Sequence, residues 1–179
     1  MNIVGASPLP LAVILGSDRQ GRFGPTVATW VLEALAEKEE FEVDFIDLAN
    51  PTQLSVRLAR AGAFIIVTPE YNHSFPAVLK AAIDEHRTEW HAKPIGFVSY
   101  GGLSGGLRAV EHLRLVFAEL HAVTLRDTVS FHAPWETVTE DGSLPQEPGS
   151  TQAVDTLISR LTWWGHALQA ARTSTPYAA

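Results

Sequence analysis

The chain has 179 residues, 46% of them hydrophobic and 18% charged, which suits one globular domain with a core of its own. Its formal net charge of −7 excludes a general nucleic-acid or anionic-membrane surface, so any anion site must be a local basic spot. The absence of cysteine excludes disulfides, thiolate nucleophiles and Cys-ligated metal centres, and it fits a reducing cytoplasm.

No Lys or Arg precedes the apolar stretch from Ile3 to Gly16, and two prolines interrupt it, which argues against a signal peptide. No run is long enough to span a bilayer. Residues 1–9 are expected to form a disordered start. Leu11 to Leu15 is a continuous apolar run closed by Gly16, the pattern of a strand buried on both faces. From Pro25 the pattern turns helical, with Val27, Trp30, Val31, Ala34 and Leu35 on one stripe. Phe41 to Leu48 reads as a second strand, Gln53 to Arg60 as a short helix, and Ala63 to Thr68 as a third, buried strand. Ser74 is placed to cap a helix carrying Val78, Leu79, Ala82 and Ile83, with Pro76 in its first turn. Ile95 to Tyr100 is a fourth strand, followed by a helix with Leu113, Val116, Phe117 and Leu120 inward. Val123 to Phe131 is a fifth strand. A last helix turns Val154, Leu157, Ile158, Leu161 and Leu168 inward. Strand and helix thus alternate five times with no repeat or linker. Right-handed crossovers then require a parallel sheet covered on both faces. The expected fold is α/β, a flavodoxin-like three-layer sandwich spanning residues 1–179, with a five-stranded parallel sheet in order 2-1-3-4-5. Ligands bind such folds beyond the carboxyl ends of the strands, at the switch point between strands 1 and 3.

Three loops empty there. "GSDRQGRFG", Gly16 to Gly24, carries three glycines that let backbone N–H groups turn inward ahead of a helix N-terminus, a combination that binds phosphate. Ser17 adds a hydroxyl, and Arg19 and Arg22 add guanidinium groups. It is neither a P-loop nor G-x-G-x-x-G. "TPEYNHSFP" crowds Glu70, Tyr71, Asn72, His73 and Ser74 at a helix entrance, where they can border a planar heterocycle. No second ligand stands at a defined spacing from His73, so no metal centre is expected. "SYGGLSGG", Ser99 to Gly106, carries four glycines, more than helix capping needs. It leaves backbone N–H groups open to a flat ring.

Together these loops resemble the NADPH-dependent FMN reductase family, which includes small flavin-containing quinone and azo reductases. "GSDRQGRFGPTVATWV" is similar to the family's phosphate loop and first helix, "TPEYNHSFPAVLKAAID" to its P-E-Y-N segment, and "FVSYGGLSGGLRAVEHLR" to its third segment. The resemblance implies bound FMN, with NADPH or NADH as hydride donor. Ser17, Arg19, Arg22 and Phe23 would hold the phosphate and its approach. Pro69, Glu70, Tyr71 and Asn72 would follow the ring edge, and Ser99, Tyr100, Gly101 and Gly102 would face its pyrimidine side. It also implies a small-molecule acceptor such as a quinone, azo dye or free flavin, no dedicated acid–base triad (Glu70, Tyr71 or His73 assisting proton transfer at most), and a cytoplasmic homodimer or tetramer. The connection after the second strand is shorter than the family usually has, and His86 stands where an aromatic is expected.

Two other readings are available. G-x-S-x-G over Gly102 to Gly106 matches a nucleophile elbow, which would make Ser104 a hydrolase serine with Asp127 and His132, or Asp155 and His166, as partners. No HGGG-type segment accompanies it, and it leaves two loops unexplained. The more economical place for Ser104 is near a helix N-cap. An electron-carrying flavodoxin is the other alternative. Such proteins have a Ser/Thr-rich phosphate loop without arginine, unlike this one. Trp90, Trp163 and Trp164 are assigned to core or interface, with core the commoner fate of large aromatics.

Overall fold

The computed structural model describes residues 7–178. Five strands, β1 (Leu9–Leu15), β2 (Phe41–Asp47), β3 (Ala63–Pro69), β4 (Pro94–Gly101) and β5 (Val123–His132), alternate with helices α1 (Gly24–Leu35), α2 (Leu54–Arg60), α3 (Ala77–Asp84), α4 (Leu107–Glu119) and α5 (Pro148–Ser174). All pairings are parallel and the order is β2-β1-β3-β4-β5, as the alternating pattern predicts.

The strands that read as unbroken apolar runs are the ones covered on both sides. Leu11, Val13, Leu15, Ile65 and Val67 pack with α1 and α5, while Ala12, Ile14, Phe64 and Ile66 pack with α2, α3 and α4. Trp90 lies in the second layer between Phe64 and Phe117, with ring centroids 4.7 and 5.3 Å away. Burying such a ring is worth about 1.5–3 kcal/mol. Edge strand β2 alternates instead. Its Glu42 and Asp44 pair with Arg60 and Arg57 of α2, which places charge along the free edge.

Several expectations need correction. β1 opens at Leu9, which is fully buried, so the disordered start does not reach residue 9. Residues 1–6 lie outside the described residues. Ser74 does not cap α3; Pro76 occupies that position without a side-chain bond, because Ser74 is engaged in the preceding turn. Of the three tryptophans assigned to core or interface, Trp90 is in the core, whereas Trp163 and Trp164 are exposed on α5 by 60% and 36%, open to the interface alternative only. His86 is buried and bonded to Ser55 Oγ and the Ala82 carbonyl, so a polar anchor fills the position where an aromatic is expected.

Gly165 of α5 faces Leu9, and a Cβ there would overlap the Leu9 Cδ2 methyl. Helix propensity favours Ala over Gly by ~1 kcal/mol, whereas overpacking a filled core costs about 1–3 kcal/mol. Gly165→Ala is therefore expected to lower stability despite the better helix former. A denaturant midpoint that rises would show that this contact is slack.

Candidate active site

β1, β3 and β4 end side by side, with Leu15 opposite Val67 and Pro69 opposite Tyr100, so the three loops leave the sheet at one edge. In the first loop the Gly16 N–H still donates to Val67, continuing the sheet by one bond of 2.8 Å. The chain then turns away. No backbone acceptor is found among the described residues for the N–H groups of Asp18, Arg19, Gln20 and Gly21, and all four residues are exposed. The arginines divide their labour. Arg22 forms a bidentate pair with Asp47 at the end of β2 (2.7 Å for one arm) and also donates to the Ser17 carbonyl. That pair holds the Asp47 carboxyl below its ordinary 3.8 and the Arg22 guanidinium above its ordinary value, against the desolvation of both. Arg22 therefore braces the loop from within, whereas Arg19 is exposed, with its guanidinium 4.3 Å from the centre of the Tyr71 ring. Ser17 is turned fully inward, and its hydroxyl has no partner.

The second loop is a miniature hairpin. Tyr71 and Ser74 exchange backbone bonds of 2.8 and 3.0 Å, and Asn72 and His73 between them both have positive φ, 51° and 67°. A two-residue turn of this kind requires left-handed backbone at both central positions, readily adopted by Asn and strained for His. Its reward is position: Asn72 and His73 project into solvent at the rim.

Glu70 joins this loop to the third. Its carboxylate accepts from the Ser104 hydroxyl, the Arg108 N–H at 3.2 Å and the Arg108 guanidinium at 2.8 Å. Burial pushes the Glu70 carboxyl up, but these donors outweigh it and hold it below its ordinary 4.5. The carboxylate is thus committed to an ion pair that clamps two loops. Ser104 is correspondingly spent. It lies two residues before Gly106, the N-cap of α4, and accepts from the Gly106 N–H at 3.3 Å. No histidine reaches it; His132 faces the Leu103 carbonyl and Ser130. The hydrolase triad is not assembled.

The glycine lip is held from beneath. Ser99 and Ser130 both donate to the Gly105 carbonyl at 2.9 Å, so the Ser99 side chain fastens the lip rather than facing a ligand. Gly105 and Gly106 have φ of 59° and 86°, and a Cβ on either would collide with neighbours on β4 and β5. Gly102 is exposed with open space about it. The Tyr100 side chain also departs from a ring-facing role: it enters the core on the α1 side, 4% exposed, beside Phe23. Phe23 in turn meets Trp135, an exposed ring that follows β5. Asp47, Arg108, Ser130 and Trp135 are contributors that the loop motifs do not include. The only signal for them is position, since each lies at or just beyond a strand end or helix start at this same edge.

The profile of the family described as NADPH-dependent FMN reductase matches residues 9–56 and 49–136, two stretches that meet in the short connection after β2. A NAD(P)H-dependent FMN reductase of Schizosaccharomyces pombe is 36% identical over 119 residues, covering 54% of this chain and 60% of its own length, so the chain spans under two thirds of that relative. A 2-hydroxy-1,4-benzoquinone reductase of a Burkholderia species is 32% identical over 143 residues, covering 65% of this chain and 74% of that protein. The flavoenzyme NAD(P)H:(acceptor) oxidoreductase FerB of Paracoccus denitrificans superposes with a TM-score of 0.71 at 19% identity, over 89% of this chain and 98% of its own, a likeness of fold. With its sequence matched from β1 through β5 and its three loops gathered at the switch point, the chain belongs to the NADPH-dependent FMN reductase family.

Proposed function

We propose that the chain is an FMN-dependent oxidoreductase that takes hydride from NADPH or NADH and passes reducing equivalents to a quinone, an azo compound, a flavin or a similar small acceptor. The observation that carries this reading is the mouth itself, where unpaired N–H groups and a free arginine stand beside a glycine-rich lip. These residues suit FMN. Asp18 to Gly21 offer backbone donors to a phosphate ester, Arg19 offers an exposed charge, and Gly102 leaves room for a flat ring. Bound there, FMN supplies the hydride chemistry, and the protein supplies position and field. Arg22 and Asp47 fix the loop's shape, and Glu70 with Arg108 fixes the spacing of the second and third loops. Pro69, Tyr71 and Asn72 border the ring. Of the side chains considered for proton transfer, Tyr71 has no hydrogen bond that competes for its hydroxyl among the described residues, and solvent reaches the same rim. The activities for which the S. pombe and Burkholderia relatives are named support the donor and the acceptor class.

A cytoplasmic location fits a chain without cysteine, in which no described helix is long and apolar enough to cross a membrane. A homodimer or tetramer is supported by large apolar side chains left exposed, Leu103 at 90% on the glycine lip and Leu115 at 76% on α4. Light scattering at micromolar concentration is expected to give at least twice the chain mass; a monomer would remove this part of the reading.

The purified protein is expected to bind FMN, turn yellow and bleach on mixing with NADPH or NADH. Arg19→Ala deletes a charge-assisted contact worth about 1.5–3 kcal/mol, which corresponds to roughly 10–100-fold weaker FMN binding by flavin fluorescence. Unchanged affinity would assign the phosphate elsewhere.

The Arg22–Asp47 brace also sets a pH dependence. Because the folded Asp47 carboxyl sits below its ordinary 3.8, its contribution is complete above that value and is lost as the pH falls through the lower folded one. FMN retention and stability are expected to hold down to about pH 4 and decline below it, with Asp47→Asn weakened at every pH. A variant that matches the parent at pH 7 would dismiss the brace.

A further inference from the structure

Two buried hydroxyls beneath the first loop have no partner: Ser17 Oγ on a fully buried residue, and Tyr100 Oη on one that is 4% exposed. Buried hydroxyls without partners are rare and each requires a reason. They converge on one point. A Cβ placed on Gly24, the first residue of α1, would lie 2.8 Å from Tyr100 Oη and 2.9 Å from Ser17 Oγ. Phe23, 6.2 Å from the Tyr100 ring, flanks them. Burial pushes the Tyr100 phenol up to about 12, with Ser17 the chief group opposing it, so Tyr100 stays a neutral donor across physiological pH.

Two hydroxyls own two protons but can share only one hydrogen bond between them, so one proton needs an acceptor beyond the pair. The carbonyl of Ser17 itself already accepts from Arg22. The N–H groups of Asp18 to Gly21, next in the same loop, have no backbone acceptor among the described residues. We propose that Tyr100 is a positioning residue of the phosphate cradle: its phenol donates to Ser17 Oγ from below and leaves the Ser17 proton for an oxygen of the FMN phosphate ester. This rests on the FMN reading above. It gives a tyrosine of β4 a part in holding the far end of the ligand, through the core rather than across the mouth. Gly24 is then required on two counts, since a Cβ there would lie 2.6 Å from the Leu15 Cδ1 methyl and would also stand against both hydroxyls.

The test compares FMN with riboflavin, which lacks the phosphate, by quenching of flavin fluorescence. Tyr100→Phe removes one oxygen and keeps the ring that fills the core. It is expected to weaken FMN about fivefold, the size of one net hydrogen bond, and to leave riboflavin and the melting temperature of the flavin-free protein unchanged. Gly24→Ala, which inserts a methyl group between the hydroxyls, is expected to show the same FMN-selective loss, and it keeps the question open to measurement should the first variant fold poorly. Parent-like FMN affinity in either folded variant overturns the proposal, and so does an equal loss of FMN and riboflavin, the mark of a merely structural tyrosine. A parent protein that takes up neither flavin overturns the FMN reading and this proposal together, an outcome distinct from a parent that binds FMN and a variant that binds it as well.

Discussion

Parallel pairing of β1, β3 and β4 governs everything at the site. Parallel neighbours must leave the sheet at the same end, so loops separated by up to some eighty residues in the chain are delivered to one edge. Their backbone groups cannot all return to the sheet. Where the chain turns out of β1, the donors of Asp18 to Gly21 find no carbonyl, and such unpaired N–H groups at a helix N-terminus favour an anion. An anion site in this acidic chain would thus draw on backbone geometry and one free arginine.

Ion pairs in this region act on shape. Arg22–Asp47 ties the first loop to the neighbouring strand end, and Glu70–Arg108 ties the second to the third. Glu70 is mostly shielded by the loops it joins, so its pair is less screened than one at the open surface, where such contacts contribute little. Their arrangement commits the Asp47 and Glu70 carboxylates to guanidinium partners at the edge where a phosphate and an electron-rich ring would sit. A site of this type depends on preorganised donors rather than on a proton-transferring side chain.

The fold was legible because burial leaves a direct trace in composition. Val13, Ile14, Ile65 and Ile66 sit in apolar runs that only a doubly covered strand requires, and the α1 and α4 stripes carry the helical period. The gathering of the three loops was legible for a related reason, since alternating strands and helices give a parallel sheet whose strands all empty at one end. The Ser104 motif was ambiguous in sequence because G-x-S-x-G specifies a turn and not a partner. The nearest competent group proved to be a carboxylate from another loop.

What the sequence alone determined is therefore the sheet, its order and the three loops that meet at its edge, each a consequence of local periodicity and glycine placement. Tertiary structure alone decided which side chains of these loops are left open to the mouth and which are turned away from it. Arg22 and Arg19 lie three residues apart, yet one is bound to Asp47 from another strand and the other is free. Tyr100 and Ser99 lie beside the glycine lip in sequence, yet both turn beneath it, one into the core and one onto the Gly105 carbonyl. Alternation along a strand assigns a residue to one of two faces, but what waits on that face comes from distant parts of the chain, and no local pattern encodes it.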